Sequence, residues 1–152
     1  MSGVKRVKAA NLFPLVSDLL EKGQSVRLSV SGDSMYPFLR DGVDSVEFSV
    51  GTFENLKRGD TVLIRRTNGY YVMHRVCRKK ADCFYMVGDA QQWIEGPLYP
   101  EQLIAVVSAI WRKDHCIPCS KWWLKLLANI WLTLRPCRYF ILRVYRKLRK
   151  IF

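Results

Sequence analysis

Between Ser25 and Trp111 the chain is cut into short stretches, most of them alternating apolar and polar residues and closed by turn-forming ones. Val26, Leu28 and Val30 alternate with Arg27 and Ser29, and further runs occupy Ser45 to Val50, Thr61 to Arg66, Tyr70 to Arg78, Cys83 to Gly88 and Ile104 to Trp111. A period of two places successive side chains on opposite faces of a strand, and runs this short, broken by Gly, Asn and Asp, suit a sheet rather than helices. The expected fold class is therefore mainly β, a barrel-like or sandwich-like sheet. Asn68-Gly69, between Arg65-Arg66-Thr67 and Tyr70-Tyr71-Val72, is the strongest turn signal. Asn-Gly suits the positive φ angles of a type I′ turn, which predicts a hairpin pairing Thr61 to Arg66 with the strand that carries His74.

The two ends read differently. Leu12, Leu15, Val16, Leu19 and Leu20 recur at helical spacing, with Asn11 as N-cap, Pro14 in the first turn and Gly23 as a stop. This predicts one short helix over 12–22. The residues before it, Met1 to Ala10, are basic at first but form neither a signal peptide nor a membrane span. Beyond Pro118 the chain turns apolar and basic together, first from Lys121 to Arg135 and then, past Pro136, from Cys137 to Phe152. In the second part Ile141, Val144, Tyr145, Leu148 and Phe152 recur at helical spacing, with Arg143, Arg146, Lys147 and Lys150 on another face. The expected organisation is a β-rich domain over 1–112 and a basic amphipathic helical tail over 119–152.

Charge follows the same division. The net charge is +12, yet residues 1–110 carry 14 Lys and Arg against 12 Asp and Glu, whereas residues 111–152 carry 11 against Asp114 alone. Tryptophans favour the headgroup level of a bilayer and each cation near an anionic surface adds about 1 kcal/mol of attraction. An anionic membrane surface is thus the expected partner of the tail, with packing on the domain's own sheet as the alternative. No helix-turn-helix or zinc-finger pattern accompanies the basic residues, so no nucleic-acid partner is expected. Five cysteines, an odd number, and the lack of a secretory segment suit a reducing compartment. The expected location is cytoplasmic, peripheral at the inner membrane face. Cys116-Ile117-Pro118-Cys119 is one isolated pair and reads as ordinary thiols, so neither metal nor cofactor is expected.

A serine becomes a nucleophile only when a neighbouring base takes its proton, and histidine is the side chain best suited to that near neutrality. His74 lies in the expected hairpin and His115 beside the cysteine pair. Ser34 follows directly on a strand end in Ser31-Gly32-Asp33-Ser34-Met35-Tyr36-Pro37. Leu39-Arg40-Asp41-Gly42 with Leu56-Lys57-Arg58-Gly59-Asp60-Thr61-Val62, then His74-Arg75-Val76, then Val87-Gly88-Asp89 come after it in order. This ordered set, over about residues 25–110, resembles the type I signal peptidases and the LexA-like serine peptidase clan. It is closest to the endoplasmic-reticulum type, whose base is histidine.

The resemblance implies a signal-peptidase-like β-rich catalytic domain. It implies Ser34 as nucleophile, His74 as general base, and Asp89 as the carboxylate orienting His74, with Glu95 as its substitute. Gly32, Met35 and Pro37 border the groove that receives an extended peptide. Gly32 supplies no hydroxyl for an oxyanion hole, which leaves the Ser34 main-chain N–H as donor. The expected function is a serine endopeptidase that cleaves leader or signal-like precursor peptides through an acyl-enzyme. The other reading is a catalytically silent membrane-associated or regulatory module of the same fold. A self-cleaving regulator is disfavoured, because no DNA-binding module precedes the peptidase segment and no internal Ala-Gly or Cys-Gly site occurs.

Overall fold

The computed structural model of the chain describes residues 9–151, so Met1 to Lys8 and Phe152 lie outside the described residues. Helix α1 (Ala9–Glu21) leads into strands β1 (Val26–Ser29), β2 (Asp44–Ser49), β3 (Thr61–Arg65), β4 (Tyr71–Lys79), β5 (Phe84–Val87) and β6 (Glu95–Leu98). A short 3-10 turn (Pro100–Gln102) precedes β7 (Leu103–Arg112) and β8 (His115–Pro118), and α2 (Trp122–Thr133) and α3 (Arg138–Arg149) complete the chain. The chain is thus mainly β, as its alternation predicts, with one short leading helix and further helices at the other end.

All pairings are antiparallel, in the order β1-β2-β7-β3-β4-β5-β6, with β8 added on β7. The long β7 joins the halves of the sheet: its first part pairs β3 through Ala105 and Val106, its last part pairs β8 from Ala109 to Arg112, and β2 runs along its other edge. β3 is buried on both faces, and its alternation divides the core. Leu63 joins Val16, Leu20, Met35, Phe48 and Ala105 on one side, while Val62 and Ile64 join Val76, Phe84 and Met86 on the other. Even an eight-stranded sheet of short strands becomes stable when both faces of its central strand are removed from water.

The structure departs from the sequence reading in four places. Asn11, expected as an N-cap, lies inside α1, which also contains Pro14. β6 forms where Gly96-Pro97 argues against a strand, because it is the outermost strand and a residue without an N–H breaks no ladder there. β8 contains Cys116, the first cysteine of the pair, and carries the sheet past residue 112, with Cys116 opposite Trp111. The hairpin between β3 and β4 forms, with Val62 opposite His74, but not through a type I′ turn. Only Gly69 has positive φ, at 88°, and the Arg66 N–H to Tyr70 O and Gly69 N–H to Arg66 O bonds define a three-residue loop that ends in a left-handed glycine. Gly69→Ala is accordingly expected to cost about 1 kcal/mol in urea unfolding with an unchanged m-value.

The segment after residue 119 packs on the domain by one face. Ala128, Trp131 and Leu132 of α2 and Arg138 and Leu142 of α3 are buried, and the Trp131 ring meets Phe38 edge-on at 5.7 Å. Arg58 donates to Asn129 at 2.7 Å, tying the helix to the turn before β3. No helix is long and apolar enough among the described residues to cross a membrane.

Candidate active site

The loop that carries Ser34 is held at both ends. Val30 N–H donates to Asp44 O at 2.9 Å and Gly42 N–H to Val30 O at 3.2 Å, closing residues 31–41 into a compact turn. Gly32 takes φ 88°, a left-handed conformation costly for other residues, and its N–H faces Asp41 Oδ1 at 3.3 Å. Met35 and Leu39 anchor the loop in the first core cluster. Asp44, buried at the loop's exit, accepts Arg40 N–H at 2.9 Å and Arg112 Nε at 3.0 Å. Burial alone pushes its carboxyl up, but the hydrogen bonds from Arg112 and Arg40 outweigh it and hold the pKa below the usual value.

Ser34 is half-buried, and its carbonyl accepts Ala90 N–H at 2.9 Å. The loop is thus docked on the segment 88–91 that follows β5. Gly88 is required by this approach, since a Cβ there would stand 2.7 Å from Ser34 O. Together with Gly32 and Met35, Ser34 lines a cavity of about 240 Å³ closed on the other side by Tyr71, Val72 and Met73 of β4. β4 pairs with β5 only from Arg75 onward, so at 71–74 that edge of the strand has no ladder partner among the described residues. Pro37, expected along this groove, does not line it; it lies further round the loop behind a cis Tyr36–Pro37 bond.

His74 is 3 % exposed, with its ring edge-on to Trp93 at 6.1 Å. Its Nδ1 is buried and has no hydrogen-bond partner. Burial first, and then the Arg66 cation, lower the pKa from 6.5 to about 4, against a smaller upward pull from Asp89. The imidazole is therefore neutral near neutrality and able to accept a proton. The Ser34 hydroxyl and the imidazole are not hydrogen-bonded to each other.

The carboxylate expected to orient His74 is engaged elsewhere. Both oxygens of the fully buried Asp89 accept from Arg75, at 2.8 Å from Nε and 2.7 Å from Nη2. The planar guanidinium matches a carboxylate as a two-pronged fork, and a buried Asp has to be neutralised in full, so Arg75 outcompetes the single N–H of a histidine. Glu95, the substitute, pairs with Arg66 at 2.6 Å. Neither acid holds the His74 ring.

Sequence reasoning assigns no role to Arg75, Arg138 or Trp131. Arg75 donates a further bond to Gly59 O at 2.9 Å. The wholly buried Arg138 donates to Gly88 O at 2.9 Å and Gln91 O at 2.8 Å, and Trp131 Nε1 donates to Asp89 O at 2.9 Å. The helical tail thereby clamps the segment on which the Ser34 loop rests. Nothing local marks Arg75, since β4 also carries His74, Arg78 and Lys79 and Asp89 lies beyond the end of β5, and nothing in a basic helix marks Arg138. No group of three or more metal-ligating side chains is assembled among the described residues. Compared with protein-family models, with curated proteins and with solved structures, the chain shows no match.

Proposed function

We propose that the chain is a serine endopeptidase of signal-peptidase-like fold, with Ser34 as nucleophile and His74 as general base. The observation that carries the reading is a buried, neutral imidazole with an unpaired Nδ1, on the same strand whose open edge forms a groove with Ser34. An unpaired buried nitrogen costs stability, and native structures keep such groups mostly where they serve a purpose. A peptide would lie extended along the 71–74 edge, adding a strand, with its scissile carbonyl over Ser34. Ser34 Oγ attacks that carbon as His74 takes the hydroxyl proton; the C–N bond then breaks and the imidazolium returns the proton to the departing amine. Water, deprotonated by the same imidazole, releases the acyl group from Ser34. The serine-to-imidazole contact closes on substrate binding, since such contacts are often loose in free enzymes. The proposed substrates are leader or signal-like precursor peptides.

One observation favours a catalytically silent module instead: Asp89 is committed to Arg75, which leaves the imidazole without an orienting carboxylate. A fluorophosphonate probe separates the readings. Labelling of the wild type, absent in Ser34→Ala and slowed in His74→Ala, is the expected result. A folded wild type that does not label, or equal labelling of all three proteins, sinks the peptidase.

A further inference from the structure

The helices at the end of the chain bury one face and turn a second, apolar face away from the domain. On α2 the buried Ala128, Trp131 and Leu132 define one side, while Trp123, Leu126, Leu127, Ile130 and Leu134 form an exposed stripe at i, i+3, i+4, i+7 and i+11 on another. On α3 only Arg138 and Leu142 are buried, and Phe140, Val144, Leu148 and Ile151 make a second exposed stripe, with Phe140 67 % and Ile151 68 % accessible. Trp122, at the start of α2, is 74 % accessible. Contiguous apolar surface of this kind on a folded chain marks an interaction face.

Charge says what the face meets. Lys121 to Lys150 contain nine Lys and Arg and no Asp or Glu. Arg143, Arg146, Lys147 and Lys150 stand beside the α3 stripe and line an open cavity of about 470 Å³ with Ala90, Gln92, Tyr139 and Leu142. A protein partner would need a matching acidic groove around an apolar strip. An anionic bilayer offers both chemistries in one plane, phosphates at the surface and acyl chains just beneath, with the tryptophans at the boundary.

We infer that α2 and α3 dock the protein on an anionic lipid surface, apolar stripes in the acyl boundary and the basic row of α3 on the phosphates. The docked helices also touch the nucleophile loop: Tyr145 packs on Tyr36 at 6.0 Å, Arg146 lies over the Tyr36 ring at 5.6 Å, and Asp33 and Tyr36 share a cavity with Arg146, Arg149 and Lys150. Docking therefore sets the Ser34 loop close to the membrane, where leader peptides with apolar segments concentrate. That last consequence rests on the peptidase reading; the docking itself does not.

The test uses full-length Ser34→Ala protein, so that binding is read without activity. Flotation with vesicles of equimolar phosphatidylglycerol and phosphatidylcholine is expected to recover most of the protein, and pure phosphatidylcholine to bind it at least about tenfold more weakly. The pairs Leu126→Ser with Ile130→Ser, and Val144→Ser with Leu148→Ser, alter exposed side chains only. Each is expected to weaken binding by about tenfold or more at an unchanged melting temperature. Failure to float with anionic vesicles, or flotation indifferent to both pairs, overturns the inference. So does sedimentation as a dimer that the pairs dissociate, without lipid binding, because a second copy then covers the face.

Discussion

Asp89→Ala is expected to lower the unfolding free energy by about 3–5 kcal/mol, read from urea unfolding followed by tryptophan fluorescence. The carboxylate is fully buried and bound by two short bonds to an arginine side chain that is itself only 8 % exposed. Deleting it leaves a buried guanidinium without its direct partner, with Gly59 O, the Phe38 ring and the weaker pull of the nearby Asp60 carboxylate remaining. The cost is that of an unpaired buried charge rather than the net worth of the pair. Removing both charges, as in Arg75→Met with Asp89→Leu, is therefore expected to recover most of the loss. A single-variant cost below about 1 kcal/mol would show that water reaches Arg75 and that the pair is not the keystone of the 88–91 segment.

The second large effect is an acid-side loss of stability that belongs to His74. Its pKa falls from 6.5 in the unfolded chain to about 4 in the fold, so between those values the unfolded state binds a proton that the folded state excludes. Stability then rises with pH across that window. Each pH step of one within it, with the two states differing by one proton, changes stability by about 1.4 kcal/mol, so acidification from pH 6.5 to 4 removes about 3 kcal/mol. His74→Gln abolishes this contribution, and the difference between the two stability curves isolates it. Asp44, held below its ordinary 3.8, loses its contribution only at lower pH, and Asp60, raised by burial, acts in the opposite sense in both proteins. A difference curve flat between pH 4 and 6.5 would mean that the imidazole is protonated in place. For the proposed peptidase, the same pKa puts the acid limb of kcat/KM near pH 4 instead of 6.5.

The sheet could be read from the chain because alternation is a local property. Val26 to Ser29, Thr61 to Arg65 and Leu103 to Arg112 declare themselves by the company of their neighbours. β6 and β8 escaped because Gly96-Pro97 and Cys116-Ile117-Pro118-Cys119 carry stronger local messages than their pairing, and pairing at an edge is decided by what lies alongside. The candidate site divides in the same way. Ser34 after a strand and His74 in a hairpin are read from motif order and from Asn68-Gly69; the structure puts His74 in the β3–β4 hairpin, whereas β1 ends at Ser29 and Ser34 sits within the turn that follows.

What surrounds them did not follow. Asp89 had two claimants, His74 and Arg75, adjacent on one strand, and a one-dimensional reading cannot tell which of them the pleat turns toward a carboxylate fourteen residues away. Nor does helical periodicity after residue 119 say which of two apolar faces is inner. The sequence by itself determined the period of the main segments and the place, though not the type, of the Asn68-Gly69 turn, because these depend on residues a few positions apart; Ser34 and His74 it offered only through the order of its motifs. Only the tertiary structure decided that Arg75 claims Asp89, that Arg138 reaches across to Gly88 and Gln91, and that the helices keep an apolar face outward. Those outcomes are settled by which charges must be neutralised when water is excluded, and that becomes defined only once the segments have packed.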